Sequence, residues 1–143
     1  MFAMWELLRL WLFAHTYLLT PQPIGIDQSW RQIQIREPLE ALNSRARLEL
    51  DVTTVIDPKG DVIERLNDAK TRFPHGCIEA RLTSKDGGTS VLSNTGEAVT
   101  NEETFVIVRN ADGVEPGLQF TSVAIRANCP VLSAKVLWHN MGK

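Results

Sequence analysis

In one place in this chain a histidine that could act as base sits beside a cysteine that could act as nucleophile. His75 and Cys77 flank Gly76, which sets a potential base beside a potential thiolate. Thiolate catalysis needs a base positioned by the fold and a third group that orients it, and adjacency supplies neither. Phe73-Pro74-His75-Gly76 reads instead as a turn leading into a strand. His139, beside Trp138 near the C-terminus, reads as a surface residue. Asp51, Asp57, Asp61 and Glu64 lie in one stretch but lack the alternating oxygen ligands and central glycine of a calcium loop; helix capping and a polar strand face account for them. The phosphate-loop, dinucleotide-binding, nucleophile-elbow and zincin patterns are all missing. The sequence therefore predicts no catalytic residue, no metal site and no cofactor.

The totals narrow the field further. A chain of 143 residues with 43% hydrophobic and 22% charged content has the make-up of a folded protein and the length of one domain. Net charge is -2, and the 15 basic residues do not gather into blocks. Arg31, Arg36, Arg45 and Arg47 are interrupted by Glu37 and Glu40, so there is no basic footprint for nucleic acid. Cys77 and Cys129 are the only cysteines, too few for a disulfide framework and wrongly spaced for zinc. They can bridge in an oxidising compartment or remain two thiols in a reducing one.

The elements that would position any site are mostly strands. From Trp30 onward apolar and polar residues alternate, as a half-buried strand requires. Ala46, Leu48, Leu50, Val52 and Ile56 share one face, against Arg47, Glu49, Asp51 and Thr53. Ile33 and Ile35 mark an earlier strand, and Ile78, Ala80 and Leu82 a later one. Thr89 to Leu92 is a weak strand and Phe105 to Val108 a buried one. In Leu118 to Ala127 the apolar phase switches, which a bulge at Thr121-Ser122 explains. Leu132 to Trp138 is the last strand. Asp57-Pro58 followed by Val62, Ile63, Leu66 and Ala69 predicts one short helix, with the proline near its first turn. The fold class expected is mainly β: an antiparallel β-sandwich of about seven strands, immunoglobulin-like or jelly-roll in kind, with one inserted helix.

Ahead of it lies an apolar segment. Phe2, Trp5, Leu7, Leu8, Leu10, Trp11, Leu12, Phe13, Tyr17, Leu18 and Leu19 precede Pro21 and Pro23 and predict an N-terminal helix from Phe2 to Leu19. The segment lacks the basic start and small-residue cleavage site of a signal peptide. Residues 1–26 are thus read as a single-pass or interfacial membrane anchor, or an assembly tether, and residues 27–143 as the sandwich domain. The location expected is membrane-associated; the charges flanking the segment do not set its side, and a periplasmic or extracellular β domain is favoured over a cytoplasmic one.

The function expected is that of a non-enzymatic interaction subunit with a protein partner or larger assembly. Candidate contact residues are Trp5, Trp11, Trp30 and Trp138, as aromatic anchors, and Asn94, Glu97, Asn101, Asn110 and Asp112, in two polar stretches read as loops, Ser93 to Glu103 and Asn110 to Gly117. Two alternatives remain: a free-standing β-sandwich that binds a small ligand or glycan, and a small enzyme using His75 or Cys77.

Overall fold

A computed structural model describes residues 15–41, 47–56, 59–100, 106–110 and 117–140. Ten strands lie within them: β1 (His15–Leu18), β2 (Ile24–Ile26), β3 (Arg31–Ile33), β4 (Leu39–Glu40), β5 (Arg47–Asp51), β6 (Ile78–Ser84), β7 (Thr89–Thr100), β8 (Val106–Asn110), β9 (Gln119–Ala127) and β10 (Val131–Asn140). One helix, α1 (Val62–Arg72), joins β5 to β6 after a 3-10 turn at Thr53–Val55. The protein is mainly β, with eight principal strands in two antiparallel sheets. One sheet runs β1-β10-β5-β8 and the other β7-β6-β9-β3; β2 adds to β10 and β4 to β9. The principal pairings are nested: β6 with β7 innermost, then β5 with β8, β3 with β9, and β1 with β10 outermost.

Alternation decides which faces meet. Leu48 and Leu50 of β5, Val136 and Trp138 of β10, Ala80 and Leu82 of β6, and Phe120, Val123 and Ile125 of β9 all belong to one buried cluster. Phe120 and Trp138 meet edge-to-face between the sheets, their ring centres 5.9 Å apart. Trp138 is fully buried, and its Nε1–H donates to the Glu40 carbonyl at 3.2 Å, so the one polar atom of the indole is satisfied. The expected bulge is present: Thr83 pairs with Ser122 but Ser84 with Phe120, leaving Thr121 as the extra residue that resets the phase.

β7 serves both sheets. Its first part, Thr89 to Ser93, pairs with β6, and its second, from Asn94 to Thr100, pairs with β8. Between Asn94 and Ala98 the register shifts, and Gly96 sits there at φ 83°, in the left-handed region. A Cβ at this glycine would also stand 3.1 Å from the His75 backbone nitrogen. The stretch read as a loop from Ser93 is therefore strand as far as Thr100; the bend hides the alternation that would have marked it.

Three further expectations are corrected. The helix from Phe2 to Leu19 is not supported: residues 1–14 lie outside the described residues, and His15–Leu18 is strand, paired with Asn140 to Leu137. Thr20 holds the segment in place, its buried Oγ1 accepting from the Val136 N–H at 2.9 Å. Among the described residues no helix is long and apolar enough to cross a membrane. The helix α1 begins after Pro58, with Asp61 as its N-cap; Asp61 Oδ1 accepts from the Glu64 N–H at 2.8 Å. Glu49, on the β5 face predicted to be wet, is buried opposite Arg109.

Cys77 and Cys129 form a disulfide, with their Cα atoms 5.5 Å apart. It ties the start of β6 to the β9–β10 connection, where the Asn128 N–H already donates to the Cys77 carbonyl at 2.7 Å.

Two outcomes follow from this architecture. Deleting residues 1–26 removes β1, β2 and Thr20 from β10, so it should destabilise the domain far more than deleting residues 1–14, as read by urea unfolding. Reducing the disulfide frees a loop spanning 52 residues, which should lower the unfolding free energy by about 2–4 kcal/mol in the same assay.

Candidate functional site

The outer face of the second sheet carries the most distinctive side-chain arrangement among the described residues. Because β6 alternates, Glu79, Arg81 and Thr83 point away from the core that Ile78, Ala80 and Leu82 fill. The Thr121 bulge puts Ser122, Ala124 and Arg126 of β9 on the same side. Register then fixes the rows. Ser93, Glu79 and Arg126 form one; Val91, Arg81, Ala124 and Gln32 form the next; Thr89, Thr83 and Ser122 form the third. Ala124 is only 3% exposed although it lies on this outer face, so the longer side chains around it close over its methyl group.

Trp30, one residue ahead of β3, organises the cluster. The Arg81 Cζ lies over its ring at 4.5 Å from the ring centre and the Arg126 Cζ at 4.4 Å. Each such contact is worth about 0.5–1 kcal/mol at an exposed site. Two guanidiniums can share one indole because Glu79 compensates one of them: the Arg126 Nη2 is 3.2 Å and the Nε 3.3 Å from Glu79 Oε1. Arg81 has no carboxylate partner among the described residues and is exposed. Beside it Val91 is 55% exposed, and Gln32 Nε2 donates to Ser122 Oγ at 2.7 Å. The face thus presents a partly buried ring, a cation held over it and an exposed aliphatic side chain.

The remaining candidates fall elsewhere. Trp5, Trp11, Asn101 and Asp112 lie outside the described residues. Trp138 is core, as above. Asn94 is buried: its Oδ1 accepts from the Ile78 N–H at 3.0 Å, and its Nδ2 donates to the Phe73 and Pro74 carbonyls at 3.1 and 3.0 Å. Its side chain is therefore committed to holding the turn before β6 against β7. Asn110 ends β8, in register with Asn94. Glu97 is exposed, with Oε2 3.9 Å from Lys70 Nζ, a surface pair of little energetic weight. His75 is exposed in its turn, and Cys77 is held in the disulfide, where its sulfur is not a thiolate. Among the described residues no three His, Cys, Asp or Glu side chains gather as metal ligands.

Sequence reasoning named Trp30 but missed Arg81 and Arg126. Alternation marked both arginines as outward-facing; that they converge on Trp30 depends on the pairing of β3 and β6 with β9, which no local pattern encodes. If the ring organises the cluster, Trp30→Ala should cost about 2 kcal/mol in urea unfolding, the sum of two cation–π contacts and a partly buried ring, while Trp30→Phe recovers part of the loss. No protein-family model, no curated protein and no solved structure matches this chain, so the case for its function rests on its own residues.

Proposed function

We propose that the chain is a non-enzymatic interaction domain that engages a protein partner through the outer face around Trp30. The observation that carries this is the pair of guanidiniums held over one indole on an accessible sheet surface. Protein-binding surfaces concentrate their energy in a few Trp and Arg anchors, and a side chain already immobilised loses less freedom on binding. The glycan alternative needs an aromatic face free to stack on a sugar, and this ring is engaged by cations.

The architecture is proposed to be a jelly roll and not the immunoglobulin-like alternative. Eight principal strands pairing first with eighth, second with seventh, third with sixth and fourth with fifth describe one long hairpin rolled into two sheets, which supports that reading. The disulfide supports an oxidising setting, periplasmic or extracellular, because such bonds persist there. With residues 15–18 drawn into the sheet, the proposed tether to a membrane or assembly falls to residues 1–14.

A photo-crosslinking benzoylphenylalanine placed at Val91 in the full chain tests the surface in its native cell. Crosslinks to a protein from Val91, absent from the same probe at Ile63 on the exposed side of α1 and lost with Trp30→Ala, are the expected result. Equal crosslinking from both positions, or none from Val91, would overturn the reading.

A further inference from the structure

Of the two arginines on the face around Trp30, one has no counter-ion among the described residues. Arg126 is paired with Glu79, whereas Arg81 meets no carboxylate among the described residues; Arg31, opposite Ile125 in register, belongs to the other face and donates from Nη1 to the Gly25 carbonyl at 3.1 Å. We infer that Arg81 is the receptor for a carboxylate, the Asp or Glu side chain of an extended acidic segment in a protein partner, with an aliphatic neighbour of that residue seated on Val91. This rests on the reading of the face as a protein-binding surface and names the chemistry of what binds there.

With its Cζ 4.5 Å from the ring centre, the Arg81 guanidinium is held against the indole, and none of its N–H groups is taken by a carboxylate among the described residues; a guanidinium grips a carboxylate with two parallel hydrogen bonds. The Trp30 contact also restrains the side chain before the ligand arrives. Val91 stands directly across the strand pair from Arg81, about 5 Å away in backbone terms, so an apolar group next to the bound acid meets an apolar surface. The flanking rows set the limits of the site. On one side the Glu79–Arg126 pair is internally neutral, and its carboxylate disfavours a second acid; on the other side are only the hydroxyls of Thr89, Thr83 and Ser122. A sulfated polysaccharide needs a track of cations, and among the described residues this face offers one cation without a carboxylate, flanked by an ion pair and hydroxyls. A single protein carboxylate with an aliphatic neighbour fits it better.

The test uses the full chain and fluorescent nonapeptides with Glu-Leu, Leu-Glu, Asp-Val or Val-Asp at the centre, each matched by its Gln or Asn counterpart, with heparin as a polyanion control, read by anisotropy. The expected result is that at least one acidic peptide binds about tenfold or more tightly than its amide twin, as a charge-assisted pair requires. Arg81→Gln should abolish that preference and Arg81→Lys should restore only part of it, while the temperature of thermal unfolding falls by no more than a few degrees, the loss of the one cation–π contact with Trp30. Peptide binding without an acid preference, an acid preference that survives Arg81→Gln, or no binding in any series would overturn the inference. Heparin binding that depends on Arg81, with no acidic peptide bound, would reassign the site to a sulfated glycan and overturn it as well. The two readings fail separately. Crosslinking from Val91 that persists in Arg81→Gln leaves the protein-binding surface standing and removes the carboxylate; acid-selective peptide binding with no crosslink from Val91 removes the protein partner, and with it the inference that rests on one.

Discussion

The two sheets depend on a bend in β7, and the bend depends on Asn94. A strand that pairs with β6 along one half and β8 along the other has to change direction between them, and groups freed by the change must find other partners. Asn94 supplies them: its buried amide takes the Ile78 N–H and gives to the Phe73 and Pro74 carbonyls, while its own carbonyl accepts from the Gly76 N–H at 3.0 Å. One side chain thereby fixes the end of α1, the turn after it, the entry of β6 and the corner of β7. Gly96 completes the corner with a backbone conformation that side chains resist. The disulfide begins at the next residue after that turn, so covalent and hydrogen-bonded restraints converge on the start of β6.

From that fixed start, β6 carries Arg81 to its place. The outer face is a product of register: Arg81 reaches Trp30 because β6 and β3 flank β9, and Arg126 reaches it because the Thr121 bulge puts positions 122, 124 and 126 outward. Without the bulge, a one-residue slip would turn Arg126 into the core and Ile125 into solvent. The small Ala124 leaves room at the centre for longer side chains to fold over. Core and surface are therefore set by the same irregularity.

Much of this was legible in the sequence where one face was wet. β5, β6, β9 with its bulge, and β10 follow from alternation alone, whereas Trp138, named as a contact anchor, is core. What escaped had a physical cause in each case. His15–Leu18 is too short to display a period and continues an apolar run, so its strand character comes from pairing with β10. In β7 the bend at Gly96 breaks the alternation in two. Glu49 looks like a wet-face residue, but it lies in a strand flanked on both sides, facing Arg109 across the pair. Val62 and Ile63 look like core residues of α1 and are exposed. The site was half visible: a tryptophan worth noting, and two arginines that only the pairing of distant strands brings together.

The nested pairing has a consequence for how the molecule comes to be made. The innermost partners, β6 and β7, are joined by a four-residue turn, whereas β1 and β10 lie at opposite ends of the described chain. A ribosome releases β1 well before β10, so His15–Leu18 waits without its sheet partner while more than a hundred residues between them are made. The sheet that receives it closes only when β10 arrives. Assembly of this kind proceeds from the middle of the chain outward, and it is slow, because each successive shell joins residues further apart in sequence.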